Sequence, residues 1–172
     1  MSTVHLAGGC FWGMEAALRR LPGITDTECG YANGRIDLDP TYDDVCRGET
    51  GYVEAVKVDY DPDTIQLEDI LSVFFFLIDP TRDDGQGNDV GTQYRTAVFW
   101  SDTDSARRIW AYFMEERKNH ERFFTRAEPL YSYHRAEEYH QGYLERNPEG
   151  YCHIPRYKMD ILSNLLSSNR DA

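Results

Sequence analysis

The chain has 172 residues and carries 18 Lys and Arg against 30 Asp and Glu, a formal net charge of −12. It is 41% hydrophobic and 28% charged, enough apolar surface for one buried core, which excludes collagen-like, mucin-like and disordered classes. The acidic balance argues against nucleic acid as a partner, and the longest apolar run, residues 73–78, is far below the roughly 18 residues of a membrane span.

Residues 4–7 read as a short strand running into Gly8-Gly9. Residues 11–21 read as a helix, with Phe11, Met14, Leu18 and Leu21 at helical spacing and Pro22-Gly23 as its stop. Residues 24–31 form a second strand, closed by Asn33-Gly34. Asp39-Pro40-Thr41 opens a short helix through Cys46, which fits its buried face. Residues 52–60 alternate, and Tyr52, Glu54, Val56, Val58 and Tyr60 share the face expected to be buried. Residues 67–78 read as a buried helix ended by Asp79-Pro80, and 81–93 as a loop. A strand over 94–100, an amphipathic helix over 104–117, a strand over 123–127 and a helix over 136–145 follow. A weak helical pattern closes the chain at Met159, Ile161, Leu162, Leu165 and Leu166. These lengths predict an α+β two-layer domain over residues 1–155, with 156–172 as a tail and not a second domain. The Met-Ser-Thr start has no basic and then apolar leader pattern, so a cytoplasmic location is expected.

The four cysteines are Cys10, Cys29, Cys46 and Cys152, and none forms a Cys-x-x-Cys pair. That disfavours a zinc finger or a thioredoxin-type motif, and no metal is expected. Cys10 stands between two glycines and a helix start, where free N–H groups and the positive dipole end favour thiolate. The same setting also suits a small buried hydrophobe at a strand end. Phe11 and Trp12 cannot both face the core, which leaves one beside the thiol; the other reading makes them ordinary core and rim residues. Glu54 lies on the apolar face of its strand, where burial would keep a carboxylic acid protonated; the other reading puts it at the strand's exposed start. Residues 87–94 are rich in hydrogen-bonding groups but lack a phosphate-loop ending. His140, beside Tyr139 and near Tyr143, is a functional or a structural helix residue. Cys152 follows Gly150 in an irregular stretch, as a travelling thiol or a tail cysteine.

Several blocks then occur in order: Gly8-Gly9-Cys10-Phe11-Trp12-Gly13, Gly30-Tyr31-Ala32, Pro40-Thr41-Tyr42, Gly51-Tyr52-Val53-Glu54-Ala55-Val56, Gln86-Gly87-Asn88-Asp89 with Gly91-Thr92-Gln93-Tyr94-Arg95, Ala136-Glu137-Glu138-Tyr139-His140-Gln141, and Gly150-Tyr151-Cys152. Together they resemble the A-class peptide methionine sulfoxide reductases over residues 4–154. The resemblance implies an α+β sandwich with a mixed sheet and a ferredoxin-like core. It implies Cys10 as nucleophile and Phe11 and Trp12 as the pocket for the S-methyl group. Glu54 corresponds to the acid facing the sulfoxide oxygen, with Tyr42 and Tyr94 as hydroxyl partners. Asp89 and His140 fall where the family contacts or orders the substrate region, and Cys152 matches the resolving cysteine. The implied reaction returns methionine S-sulfoxide in oxidised proteins or peptides to methionine. It passes through a Cys10 sulfenic acid and a Cys10–Cys152 disulfide, with thioredoxin as reductant and no cofactor.

Two departures stand out. Tyr52 replaces a common His, and Cys29 replaces a common Val and has no assigned role. Two other classes compete. A cysteine hydrolase needs a histidine paired with Cys10, and no spacing among His5, His120, His134, His140 and His153 marks one. A non-catalytic binder of oxidised methionine has no use for both Cys10 and Cys152.

Overall fold

The computed structural model describes residues 1–170. In chain order, β1 is Ser2–Ala7, α1 Phe11–Leu18, β2 Ile24–Ala32, α2 Tyr42–Cys46, β3 Val53–Tyr60 and α3 Leu67–Leu77. Then come β4 Gly85–Gln86, β5 Asp89–Val90, β6 Ala97–Trp100, α4 Thr103–Arg117, β7 Arg126–Pro129, β8 Tyr133–Arg135, α5 Tyr143–Arg146 and α6 Arg156–Arg170. Six strands form one sheet in the order β7-β6-β1-β3-β2-β8, and β4 and β5 form a separate small hairpin. Among the described residues only β6 and β7 run parallel, so the sheet is mixed and the fold is α+β.

The alternation of β3 explains the layering. Val56 and Val58 face α1 and α3, joining Met14, Leu18, Ile70, Leu71 and Phe74 in the main core. Val53 and Ala55 face the opposite side, with Ala7, Ala97 and Phe99 under Leu130 and Tyr133. Burying one Leu or Phe side chain is worth about 1.5–3 kcal/mol, so these two apolar faces fix the register. Glu54 has the parity of Val56 and therefore points toward the start of α1.

Several expected elements change. α1 stops at Leu18, and the Arg19, Arg20 and Leu21 amides bond back in single turns. The strand expected over 94–100 begins only at Ala97, because its partner β1 ends at Ala7, opposite Ala97. Thr92–Tyr94 instead forms a 3₁₀ turn. The expected loop over 81–93 contains the β4–β5 hairpin. The strand expected over 123–127 lies three residues later as β7, and β8 went unread. The helix expected over 136–145 breaks at Gly142, whose φ is 60° and whose N–H is taken by Glu15 Oε1 at 2.7 Å. His140 accordingly sits in a 3₁₀ turn, Glu138–His140. The closing pattern becomes α6, with Leu162 in the main core and Met159 and Leu166 packed on it. Among the described residues no helix is long and apolar enough to cross a membrane.

Tyr52 is 1% exposed and acts as a tie. Its hydroxyl meets the Arg35 carbonyl at 2.9 Å and Ser132 Oγ at 2.7 Å, joining two loops beside β2.

Candidate active site

β1 delivers the chain to Cys10 through Gly8 and Gly9. Gly9 takes φ 89°, a backbone that side chains rarely adopt. The turn sets Cys10 at the N-cap of α1, with no side-chain capping bond. The Trp12 N–H at the helix start favours the thiolate but makes no capping bond to the sulfur. Cys10 is nevertheless only 7% exposed. Burial, and next the nearby Glu54 carboxyl, hold the thiol well above its ordinary pKa. The expectation that the helix start alone favours thiolate is thus corrected: desolvation outweighs the N–H and the dipole.

Glu54 is 1% exposed and pairs with Tyr31 across the sheet. Its Oε1 accepts the Phe11 N–H at 3.2 Å, so this carboxyl caps α1 from a neighbouring strand. Burial lifts its pKa to about 8; the Phe11 N–H opposes the shift and Asp89 adds to it. Glu54 therefore holds a proton at neutral pH. Tyr42 and Tyr94 are half-buried. Burial first, then Cys46 for Tyr42 and Glu54 for Tyr94, keeps both phenols protonated.

An aromatic wall stands beside the thiol. Phe11 is buried against Tyr31 and His140, with ring centroids 5.8 and 5.0 Å away. Trp12 is half-exposed and stacks on Tyr143 at 3.8 Å and 13°. Its indole N–H donates to His140 Nδ1 at 3.0 Å. An indole only donates, so the His140 proton sits on Nε2. Among the described residues that buried nitrogen has no partner, nor does buried Oδ2 of Asp89. The Tyr42 ring lies 4.6 Å from the His140 ring and completes the wall.

The remaining thiols separate clearly. All four are free. Cys29 is fully buried, with Sγ 3.8 Å from the Phe11 carbonyl. Cys46 is exposed and not on a buried helix face: the buried residue of α2 is its neighbour Val45. Half-buried Cys152 lies over Gly13, one turn along α1 from Cys10: a Cβ on Gly13 would fall 2.9 Å from Cys152 Sγ. The structure thus gathers the nine residues singled out in the sequence around the start of α1.

A family model described as peptide methionine sulfoxide reductase matches residues 2–166. Peptide methionine sulfoxide reductase MsrA of Clostridium botulinum is 48% identical over 155 residues, 90% of this chain and 98% of that protein. Mxr1 from Saccharomyces cerevisiae in reduced form superposes with a TM-score of 0.84 at 36% identity, over 88% of each chain. The same yeast protein in complex with Trx2 superposes with a TM-score of 0.60 at 23% identity, over 89% of this chain and 86% of that one. The chain belongs to the peptide methionine sulfoxide reductase family. It is an oxidoreductase that uses thiols to reduce methionine sulfoxide.

In this reductase four further residues shape the site and were not read from sequence. Tyr31 donates to Glu137 Oε1 at 2.8 Å, and Glu137 Oε2 accepts the Tyr42 N–H at 3.0 Å, which ties α2 to the sheet. The Gln86 amide links β4 to Asp79 through bonds of 2.7 and 2.8 Å. Gly13 leaves the room that Cys152 fills. Tyr31, Glu137, Gln86 and Gly13 all lie inside the quoted blocks, but only burial and partners reveal their roles.

Gly13→Ala tests the packing. An Ala inside a helix ordinarily stabilises by about 0.5–1 kcal/mol over Gly, whereas overpacking costs about 1–3 kcal/mol. The expected outcome is no gain in thermal stability and faster alkylation of Cys152 by iodoacetamide as its thiol is pushed outward. A full Gly-to-Ala gain with unchanged alkylation contradicts the packing.

Proposed function

We propose that Cys10 attacks the sulfoxide sulfur while Glu54, with the Tyr42 and Tyr94 hydroxyls, supplies a proton to the sulfoxide oxygen. The observation that carries this reading is the buried Glu54 carboxyl bonded to the Phe11 N–H at the start of α1, where burial lifts its pKa to about 8. An oxygen cannot leave sulfur unprotonated, and a positioned acid contributes about 10²–10⁴-fold. The oxygen passes from methionine sulfur to Cys10 sulfur, methionine departs, and Cys10 is left as a sulfenic acid. As positive charge develops on the substrate sulfur it draws Cys10 toward thiolate, so the raised thiol pKa of the empty site does not block the step.

Phe11 and Trp12 form the methyl subsite in this reading. The unpartnered His140 Nε2–H and Asp89 Oδ2 are a donor and an acceptor for the substrate backbone. Methyl and oxygen meet unlike surroundings, which supports use of one epimer, the S-sulfoxide. Cys152 then resolves the sulfenic acid as a Cys10–Cys152 disulfide, a role supported by its seat over Gly13. Thioredoxin is the proposed reductant; the yeast relative's complex with Trx2 supports it.

Residues 1–155 hold every one of these groups and form the reductase domain in this reading. Of the tail, 156–172, Asp171 and Ala172 lie outside the described residues, and α6 packs on the main core without a core of its own. The strand order β6-β1-β3-β2, with α1 and α3 as its crossovers, supports a ferredoxin-like core. A cytoplasmic setting suits a cycle that begins from free thiols.

Cys152→Ser tests the scheme. The variant should release about one equivalent of methionine and keep a trappable sulfenic acid on Cys10, because the chemical step precedes resolution. Thioredoxin should fail to recycle it, since that reductant needs a disulfide to attack. Dithiothreitol should still recycle it directly. Thioredoxin-driven turnover at the parent's rate contradicts the resolving role.

A further inference from the structure

Resting on the reading of Cys152 as the resolving thiol, we propose that His153 is the base that takes the Cys152 proton as Cys152 attacks oxidised Cys10.

His153 Nε2 lies 2.7 Å from the Gly8 carbonyl oxygen. A carbonyl only accepts, so Nε2 carries the hydrogen and Nδ1 holds a free lone pair. Nδ1 is buried and has no hydrogen-bond partner among the described residues. A buried lone pair left without a donor is costly and asks for a reason. The point above Gly13 supplies one. A Cβ built there would lie 3.2 Å from His153 Nδ1 and 2.9 Å from Cys152 Sγ. The two atoms therefore face one spot and stand at most about 6 Å apart, those two distances laid end to end. His153 is the residue next to Cys152, and its Nε2–H anchors it to the Gly8 carbonyl, two residues before Cys10.

Chemistry demands such a group. Burial pushes the Cys152 thiol above its ordinary value, so little thiolate exists at neutral pH. Burial keeps His153 neutral and able to accept. The charged groups that act here are Asp89, on both, and Arg20, on Cys152. In the step, the Cys152 S–H bond breaks and its proton goes to Nδ1. The freed electron pair forms the S–S bond, the S–O bond of the Cys10 sulfenic acid breaks, and the leaving hydroxide takes the proton from the imidazolium as water. Cys152 is oxidised and Cys10 reduced, and no further reactant is needed.

The test follows Cys10–Cys152 link formation by rapid quench and peptide mapping after one equivalent of methionine S-sulfoxide. His153→Gln keeps a donor for the Gly8 carbonyl and removes the base. At pH 7 the variant should form the link at least about tenfold more slowly than the parent, well inside the range of base catalysis. Sulfenic acid on Cys10 should accumulate and be trapped by dimedone. Between pH 6.5 and 7.5 the variant's rate should rise about tenfold, as free ionisation of a high-pKa thiol requires, and the parent's less than about threefold. Link formation in the variant at the parent's rate overturns the proposal. If the variant releases no methionine and has not folded, the parent's profile decides: a tenfold rise there overturns the proposal too. A parent that forms sulfenic acid but no Cys10–Cys152 link refutes the resolving role of Cys152 itself, and the role of His153 falls with it.

Discussion

Replacing Cys10 by Ser abolishes methionine release and leaves the protein at least as stable. The two halves of this expectation have one structural cause. Cys10 is the N-cap of α1 and makes no side-chain capping bond. Serine is among the best N-cap residues, worth about 0.5–2 kcal/mol over a residue that cannot cap. Its hydroxyl would accept from the N–H groups of Trp12 or Gly13, where sulfur is a weak acceptor. Chemically the same change is severe. A hydroxyl is neither ionised nor nucleophilic enough to take oxygen from sulfur, and loss of a covalent nucleophile costs on the order of 10⁵–10⁶ in rate. Chromatographic assay of methionine with dithiothreitol present, beside a urea titration, checks both halves. Turnover within about tenfold of the parent would remove Cys10 from the mechanism.

Much of the site was legible before any coordinates, and the reason is local. The start of α1 is encoded by contiguous residues, Gly8-Gly9 and then an apolar helical pattern, so Cys10 could be placed at a helix N-terminus. The alternation of β3 put Glu54 on the apolar face, and the face is buried as read. What failed depends on partners distant in sequence. The strand over 94–100 had the right alternation but lacked a neighbour beyond Ala97. The helix over 136–145 had the right spacing, but its break at Gly142 is held by Glu15, 127 residues away. The protonation of Cys10 was misjudged for the same reason. The helix dipole is local and visible in sequence, whereas the desolvation that overrides it is made by the whole fold. His153, whose ring reaches back 145 residues to Gly8, left no sequence signal beyond its place next to Cys152.

Glu54→Gln should slow the sulfoxide step by about 10²–10⁴-fold and stabilise the protein, increasingly so as pH rises. The amide keeps an oxygen for the Phe11 N–H, now 3.2 Å from Glu54 Oε1, so the helix start is preserved. It cannot donate a proton to a leaving oxygen. The stability effect follows from the direction of the shift. Glu54 has a pKa of about 8 in the fold against an ordinary 4.5. The folded protein therefore binds this proton more tightly than the unfolded chain does. That preference is fully present below pH 4.5 and is lost as pH rises through 8, so burying Glu54 weighs against folding most above pH 8. Gln never ionises and escapes that penalty, which is on the order of 3–5 kcal/mol at its full extent. Urea unfolding at pH 5 and pH 8 should show the variant's advantage widening by several kcal/mol between them. In single turnover the parent's rate should fall above about pH 8 as Glu54 loses its proton, and the slow variant should lack that fall. An equal stability difference at both pH values would place the carboxyl in an ordinary solvated setting. A variant as fast as the parent would leave Glu54 a capping group only. If both expectations hold, the two residues that meet at the start of α1 share one logic: each is a poor choice for stability, and each is the atom the reaction needs.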